Sequence, residues 1–409
     1  MMPGAHVSCF AEAKSEVVRV WCENRYLTPA SARQYLQWVR RFYDYCGRKA
    51  LDAELQLTHA GAMAFARWYA RRRHTDAGSA RHNAHCALRA WAFALRSMDH
   101  DLPVWESVSR RQEVQPPLLQ EFAEYLRQHR GNPAMTVKKK IAHTTSFLAY
   151  LRHRHRHLRH LKLSDIDAFL VGCREHYART TTADIGCSLR SFLRFLRVTG
   201  RLPVDLASSV VGPMVRRDER PPRALPWVDV LRILAAVDST TAKGQRDYTM
   251  LLLMSTYGLG AGEVTRLTLD DIDWHTLTLH VVRPKTGVEF LLPLLPAVAC
   301  AVARYLQDGR PRHTPTRHLF ISTKAPHLPL GCSSAVRYIL VTHAHSAGVW
   351  AEYLGSHVLR HTHACRQMEL GVVPKVLGDI LGHRNADSVS AYVRIATEGL
   401  RQLALPVPR

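Results

Sequence analysis

Apolar and polar positions follow two different rhythms along this chain. Between residues 16 and 105 the apolar side chains recur at three- and four-residue intervals, first Val17, Val20 and Trp21, then Tyr35, Trp38, Val39, Phe42 and Tyr45. That is the period of helices with one buried face. Thr28-Pro29-Ala30-Ser31 supplies an N-terminal cap, with proline where the first turn needs no amide donor. A second helix is predicted from near Thr58 through Met63, Phe65 and Tyr69. A third runs from about Ala80 through Leu88, Trp91 and Leu95 to a stop near Asp101-Leu102-Pro103. Residues 117–206 repeat this plan. Phe147 and Tyr150 follow Phe42 and Tyr45 at one offset, while Leu163-Ser164, Leu189-Arg190 and Leu202-Pro203 echo Leu57-Thr58, Leu88-Arg89 and Leu102-Pro103. Small offset changes fall between helices, where loops absorb them. The pattern predicts two copies of one small helical domain, against the alternative of coincidence between two amphipathic stretches.

From Trp227 the rhythm becomes mixed. Val228–Val237 and Arg246–Tyr257 read as helices, the second nearly all apolar and therefore buried. Leu277–Val282 and Phe290–Leu292 read as strands around the turn Pro284-Lys285-Thr286-Gly287. Helices resume at Ala297–Leu306 and Ser334–Ser346, and the closing segment is helical with breaks at Gly355, Gly371–Pro374 and His383–Asp387. The proline-rich, charge-alternating stretch 211–226 has the composition of a linker. The expected organisation is a mainly α chain: a helical domain over 1–110, a second over 111–210, the linker, and a mixed α/β domain over 227–409, mostly helical with a small antiparallel sheet.

Charge narrows the function. The 409 residues carry 56 Lys and Arg against 34 Asp and Glu, a net +22 with histidine neutral, and a sequence pI near 10.0. A densely negative partner is the natural inference, with a merely soluble basic protein as the plain alternative. Arg33, Arg40, Arg41 and Arg71–Arg73 lie among the apolar positions of the first helical set, and Lys138, Lys139, Lys140, Arg190 and Arg194 among those of the second. They suit backbone phosphates, and a solvated helix face would look the same. Arg152–His160, nearly all arginine and histidine, reads as a phosphate-contacting, pH-responsive or simply solvated loop. Nine cysteines without a Cys-x-x-Cys pair argue for reduced thiols over a disulfide frame or zinc ribbon. His361, His363 and Cys365 alternate, but residues two apart on a helix face different ways, so no metal is expected. Met1–Lys14 lacks a signal-peptide pattern, and the longest apolar run, Phe290–Ala303, is short and broken by Pro293 and Pro296. A cytoplasmic, nucleoid-associated protein without a membrane partner is expected.

The chemistry gathers near the end of the chain. His357-x-x-Arg360-His361, Leu381-Gly382-His383 and Tyr392 put a nucleophile, a guanidinium and several imidazoles at spacings suited to phosphodiester chemistry. On these motifs, residues 227–395 resemble the catalytic domain of the tyrosine recombinase (phage integrase) family, and residues 117–206 resemble its helical core-binding domain. The resemblance implies that Tyr392 attacks a DNA phosphate and holds the strand as a 3′-phosphotyrosyl ester, conserving the bond so that rejoining needs neither ATP nor metal nor another cofactor. It implies that Arg360 binds the non-bridging oxygens. His357 positions the phosphate or moves the tyrosine proton, and His383 is a further phosphate donor. Lys285 is the acid for the 5′-hydroxyl leaving group. His361 orients its neighbours, and Glu263 matches the acidic residue ending the family's first box, Gly-Leu-Arg-x-x-Glu. Lys138, Lys139, Lys140, Arg190, Arg194 and Arg283 are the candidate DNA contacts. The implied partners are double-stranded DNA and further recombinase subunits, identical or not, in a tetramer on DNA.

One position departs from the pattern. The first box reads Gly258-Leu259-Gly260-Ala261-Gly262-Glu263, so Gly260 stands where the family carries its first catalytic arginine. Loss of one charged phosphate clamp costs about 3 kcal/mol, roughly a hundredfold or more in rate. Arg266 on the same segment and Arg283 before the candidate lysine are the possible substitutes. Two readings follow: an active recombinase or mobile-element integrase, or an accessory DNA-binding subunit that works beside active sister recombinases. The glycines do not form a dinucleotide-binding turn, because Glu263 replaces the third glycine and a buried helix precedes them.

Overall fold

The computed structural model describes residues 5–23, 27–105, 116–215, 223–283, 287–312, 314, 316–324, 327–331 and 333–382. The chain forms two compact units, one made of residues 1–108 with 221–409 and the other of residues 109–220.

In the first unit, residues before 108 form four helices, α1 Ala5–Glu23, α2 Pro29–Arg48, α3 His59–Arg73 and α4 Ala77–Ser97. The predicted cap is present, with Thr28 accepting the Ser31 N–H at 3.2 Å, and Thr58 likewise accepts the Gly61 N–H at 3.0 Å, each closing an otherwise unpaired helix-end donor. Trp21, Phe42, Phe65, Leu88 and Trp91 are fully buried between the helices. Both indole donors are satisfied, Trp21 by Ala90 O at 3.3 Å and Trp91 by the Tyr43 hydroxyl at 3.2 Å.

The second unit repeats a four-helix arrangement with α5 Pro117–Gln128, α6 Ala134–His153, α7 Leu163–His176 and α8 Arg179–Val198. Its core is built on Phe122, Phe147, Leu189 and Phe192.

Residues from 223 onward continue the first unit. The central element is α10 Ala242–Tyr257, flanked by α9 Trp227–Ala235, α12 Pro296–Arg304, α13 Ser333–Ser346 and α14 Val358–Glu369. A three-stranded antiparallel sheet, β1 Ile272–Asp273, β2 Thr278–Val282 and β3 Glu289–Pro293, lies in sequence order, with Leu279 facing both Ile272 and Leu292 and Val282 facing Glu289. Leu279 and Val281 bury the inner face of β2, the two-residue period of a half-buried strand. α10 is buried as its composition predicted, yet not through apolar residues alone. Asp247, fully buried, accepts from Arg246 at 2.7 Å, from Lys243 at 2.7 Å and from His343 of α13 at 3.1 Å. Burial alone would raise the Asp247 carboxyl; the His343 hydrogen bond and the two cations overcome it and hold the pKa at about 2.

The end of the stretch read as a linker is packed. Leu225 is buried in the core of this unit and its N–H donates to Thr362 Oγ1 of α14 at 2.8 Å. The first four helices also touch this part of the unit, where the Phe93 ring packs edge-on to His327 with centroids 5.7 Å apart.

Candidate active site

The site starts where α10 ends. Gly258 closes that helix in the left-handed region, φ 64°, and a Cβ there would meet the His363 ring at 2.7 Å. Only glycine allows both the turn and the close approach. Gly260 follows with φ −75°, as the N-cap of the short helix α11 Ala261–Val264. Glu263, in the first turn of α11, reaches back to accept the Gly260 N–H at 2.7 Å. Negative charge at a helix start is favourable.

The same carboxylate gathers two arginines from distant parts of the chain. Arg283, just past the end of β2, donates Nη1 to Glu263 Oε1 at 2.9 Å, and Arg360 of α14 brings Nη1 within 3.3 Å of Glu263 Oε2. Backbone carbonyls take the remaining directions. Arg360 donates to Gly258 O at 3.1 Å and to Leu381 O, and Arg283 to Ile380 O at 2.7 Å. Leu381 ends α15, Pro374–Leu381, which Gly382 closes at φ 62°. A Cβ on Gly382 would collide with Arg283 Nε and Cδ. Arg283 also stacks on Phe290 of β3, 4.6 Å from the ring centroid, and its Nε finds no acceptor among the described residues. Its side chain is 6% exposed, against 11% for Glu263 and 12% for Arg360. Burial lowers the Arg283 pKa, Glu263 opposes the shift and Arg360 adds to it; guanidinium remains charged in such surroundings.

Histidines border this cluster. His357 is the exposed N-cap of α14, and its ring lies 6.5 Å from that of His361 one turn later. His363 is buried, and its Nδ1 lies 3.0 Å from Ser255 O. A carbonyl only accepts, so Nδ1 carries the proton, and Nε2, which finds no partner among the described residues, carries the lone pair. Burial lowers the His363 pKa, with the Ser255 carbonyl opposing and Arg360 reinforcing, so this ring stays neutral.

Of the residues expected to act, the fold brings Glu263, Arg283 and Arg360 together and sets His357 and His361 at the start of the helix that carries Arg360. Lys285, His383 and Tyr392 lie outside the described residues. Arg266 is exposed and makes no hydrogen bond or ion pair with the Glu263 carboxylate among the described residues. Glycine at 260 meets no steric demand: its φ is ordinary, and a Cβ would sit 3.6 Å from the Glu263 carboxyl group.

The expected DNA contacts of the second unit divide. Lys138 and Arg194 are exposed. Lys139 is paired with Asp184, Lys140 donates to Ser191 Oγ at 2.6 Å, and Arg190 donates to Val210 O at 3.1 Å. Burial lowers the Lys140 pKa; Cys187 opposes this shift, while Arg130 and Arg194 add to it.

Comparison with known proteins places these residues in a family. Residues 224–398 match the sequence model of the phage integrase family, and residues 119–200 match that of the phage integrase N-terminal SAM-like domain. The Sinorhizobium fredii protein provisionally named integrase/recombinase y4rF is 32% identical over 296 residues, 71% of this chain and 69% of that one. The chain belongs to the phage integrase family. This recombinase is also 27% identical to the tyrosine recombinase XerD of Lacticaseibacillus casei, over 69% of its own length and 95% of that protein. Among solved structures, the lambda integrase tetramer bound to a Holliday junction has the same fold, with a TM-score of 0.54, 18% identity, and coverage of 67% of this chain and 76% of that one. The family is one of DNA strand-cleaving and rejoining enzymes, and this chain is a site-specific DNA recombinase of the tyrosine class. Neither family match extends over α1 to α4.

Proposed function

We propose that this recombinase breaks and rejoins duplex DNA through Tyr392, and that Arg283 supplies the second cation which the first box lacks at Gly260. The phenolic oxygen attacks phosphorus, the bond to the 5′ oxygen breaks, and the strand is held as a 3′-phosphotyrosyl ester. The tyrosine proton passes to His357, and Lys285 protonates the leaving 5′ oxygen. Attack by a 5′-hydroxyl reverses each step, so the exchange needs no added energy. Arg360 and His383 hold the non-bridging oxygens as charge spreads over them. By likeness to the lambda integrase tetramer on its junction, the working form is a tetramer of recombinase subunits on two DNA duplexes.

The observation that carries this reading is the shared grip on Glu263. Arg360 alone would have its charge cancelled by that carboxylate. With Arg283 on the other oxygen, the side chains keep an excess of positive charge for a phosphate. A second cation in the cluster is also why the accessory-subunit reading is set aside. The test is a duplex nicked beside the scissile phosphate, so that the cleaved fragment diffuses away and the adduct accumulates. The native chain should form a covalent protein–DNA adduct, and Tyr392→Phe should form none. An adduct of equal yield in both, or none on a duplex that the native chain demonstrably binds, defeats the proposal.

A further inference from the structure

The first four helices contribute nothing to the cluster at Glu263 and lie outside both family matches, yet they carry a built feature of their own. Between α2 and α3 lies an open groove of about 530 Å³ lined by Arg41, Arg48, Arg72 and Arg73, with Asp44, Trp68 and Tyr69. Four guanidiniums thus face one carboxylate, and none of the four is ion-paired among the described residues. Aromatic rings support two of them. Arg41 lies 5.4 Å from the centroids of both Trp38 and Tyr69, and Arg72 lies 5.7 Å from that of Trp68. A ring holds the guanidinium plane without using its N–H edge, so the donors stay oriented and available. Like charges gathered this way repel, and a bound anion relieves them.

The charge is not something the helical arrangement requires. In the second unit a pocket among α6, α7 and α8 is lined by His143, Ser146, Tyr150, Phe169, Cys173 and His176 among others, with no lysine or arginine. Ser146 stands at the offset from Arg41 that relates Phe147 to Phe42. Spacing then selects the ligand. Arg41 and Arg48 are two helical turns apart, about 10 Å along the axis, a spread that suits a row of phosphates.

We propose that the α2–α3 groove grips the sugar–phosphate backbone of duplex DNA, spanning successive phosphates, as a contact additional to those of the two family-matched domains. This rests on the reading of the chain as a DNA recombinase. The surface is sequence-independent: guanidinium edges on phosphates position DNA and do not read bases.

The test compares the full native chain with Arg41→Gln/Arg48→Gln/Arg72→Gln/Arg73→Gln on a fluorescent duplex of arbitrary sequence, over a range of salt. Each lost phosphate contact lowers the slope of log affinity against log salt by about 0.9. The variant should lose about two units of slope or more, and bind roughly tenfold more weakly at physiological salt. Should the quadruple variant melt early, Arg48→Gln/Arg73→Gln, both at exposed positions, should lose more than one unit. An unchanged slope in a folded variant overturns the proposal. So does an unchanged slope with altered self-association in sedimentation, which would assign the groove to a protein partner. Failure of the recombinase reading looks different: the native chain itself would then show no salt-dependent duplex binding.

Discussion

Arg283→Gln and Gly260→Arg, made singly and together, ask whether one cation stands in for another. Arg283 is bound to Glu263 at 2.9 Å, with both side chains about nine-tenths buried. Breaking a buried pair by removing one partner costs about 3–5 kcal/mol. Arg360, 3.3 Å from the same carboxylate, takes over part of the charge, which puts the stability loss near the lower end. The catalytic loss follows from the same geometry. Glu263 then neutralises Arg360, and removal of one charged clamp corresponds to about 3 kcal/mol, roughly a hundredfold in rate. Position 260 accepts a side chain, since φ is −75° and a Cβ makes ordinary contact at 3.6 Å. Gly260→Arg in the native background should therefore raise cleavage by tenfold at most, because the cluster already has two cations. In the Arg283→Gln background it should restore about tenfold or more beyond that gain. The assay is the rate of covalent adduct on the nicked duplex, with denaturant unfolding run on each variant to separate stability from catalysis. Distant, independent positions add within about 0.5 kcal/mol. If the two changes combine additively within that margin, or if folded Arg283→Gln cleaves at the native rate, the substitution argument is wrong.

Three further outcomes follow from the packing of the first unit. Asp247→Asn should lower unfolding stability by about 3–5 kcal/mol, because Arg246 is buried and loses its counter-charge; urea titration measures it, and a loss under about 1 kcal/mol would contradict it. His327 is fully buried, and burial lowers its pKa to about 4, partly opposed by the Ser322 carbonyl. Its folded pKa is depressed, so the neutral ring's contribution is complete above the unfolded value near 6.5 and is lost as pH falls toward 4, up to about 3 kcal/mol. His327→Asn, which suits the positive φ of 55°, should flatten that part of the stability–pH curve, and an unaltered curve would exclude His327 as its source. Gly258→Ala should cost about 1–2 kcal/mol for the left-handed backbone alone, and more for the contact with His363. Adduct formation should also slow, since Gly258 O is a partner of Arg360.

Local signals were readable in the sequence where the physics is local. Thr28 and Thr58 cap the helices their sequences announced, and β2 and β3 pair on either side of the predicted turn. What periodicity does not carry is partnership between distant residues. α10 reads as an apolar helix, but its Asp247 is tolerated in the core because Arg246 and Lys243 of the same helix and His343, ninety-six positions later, all donate to it. Glu263 was recognisable as the end of a box. Its second role, joining Arg283 at a separation of 20 residues to Arg360 at 97, depends on where β2 and α14 come to rest. Spacing likewise left Arg266 and Arg283 as equal substitutes for the missing arginine, whereas the fold turns the first to solvent and encloses the second. Lys139, Lys140 and Arg190 fit a phosphate-facing pattern, but α8 and the segment after it supply partners for all three. Lys138, Lys139 and Arg194 face outward, and of these Lys139 already has an acidic neighbour in Asp184.

The carbonyls that receive the two arginines have a consequence for the enzyme at rest. Gly258 and Gly382 terminate α10 and α15, so Arg360 and Arg283 donate into the C-terminal ends of two helices, each bearing roughly half a negative charge. Among the described residues two cations are thus met by one carboxylate and roughly two half-charges, so this cluster is near electroneutrality before DNA arrives. It can stay folded while idle, with its arginines parked on backbone oxygens, and an entering phosphate must win them by exchange. Without Arg283 the same idle pocket would be negative, and the phosphate would be repelled before any chemistry began.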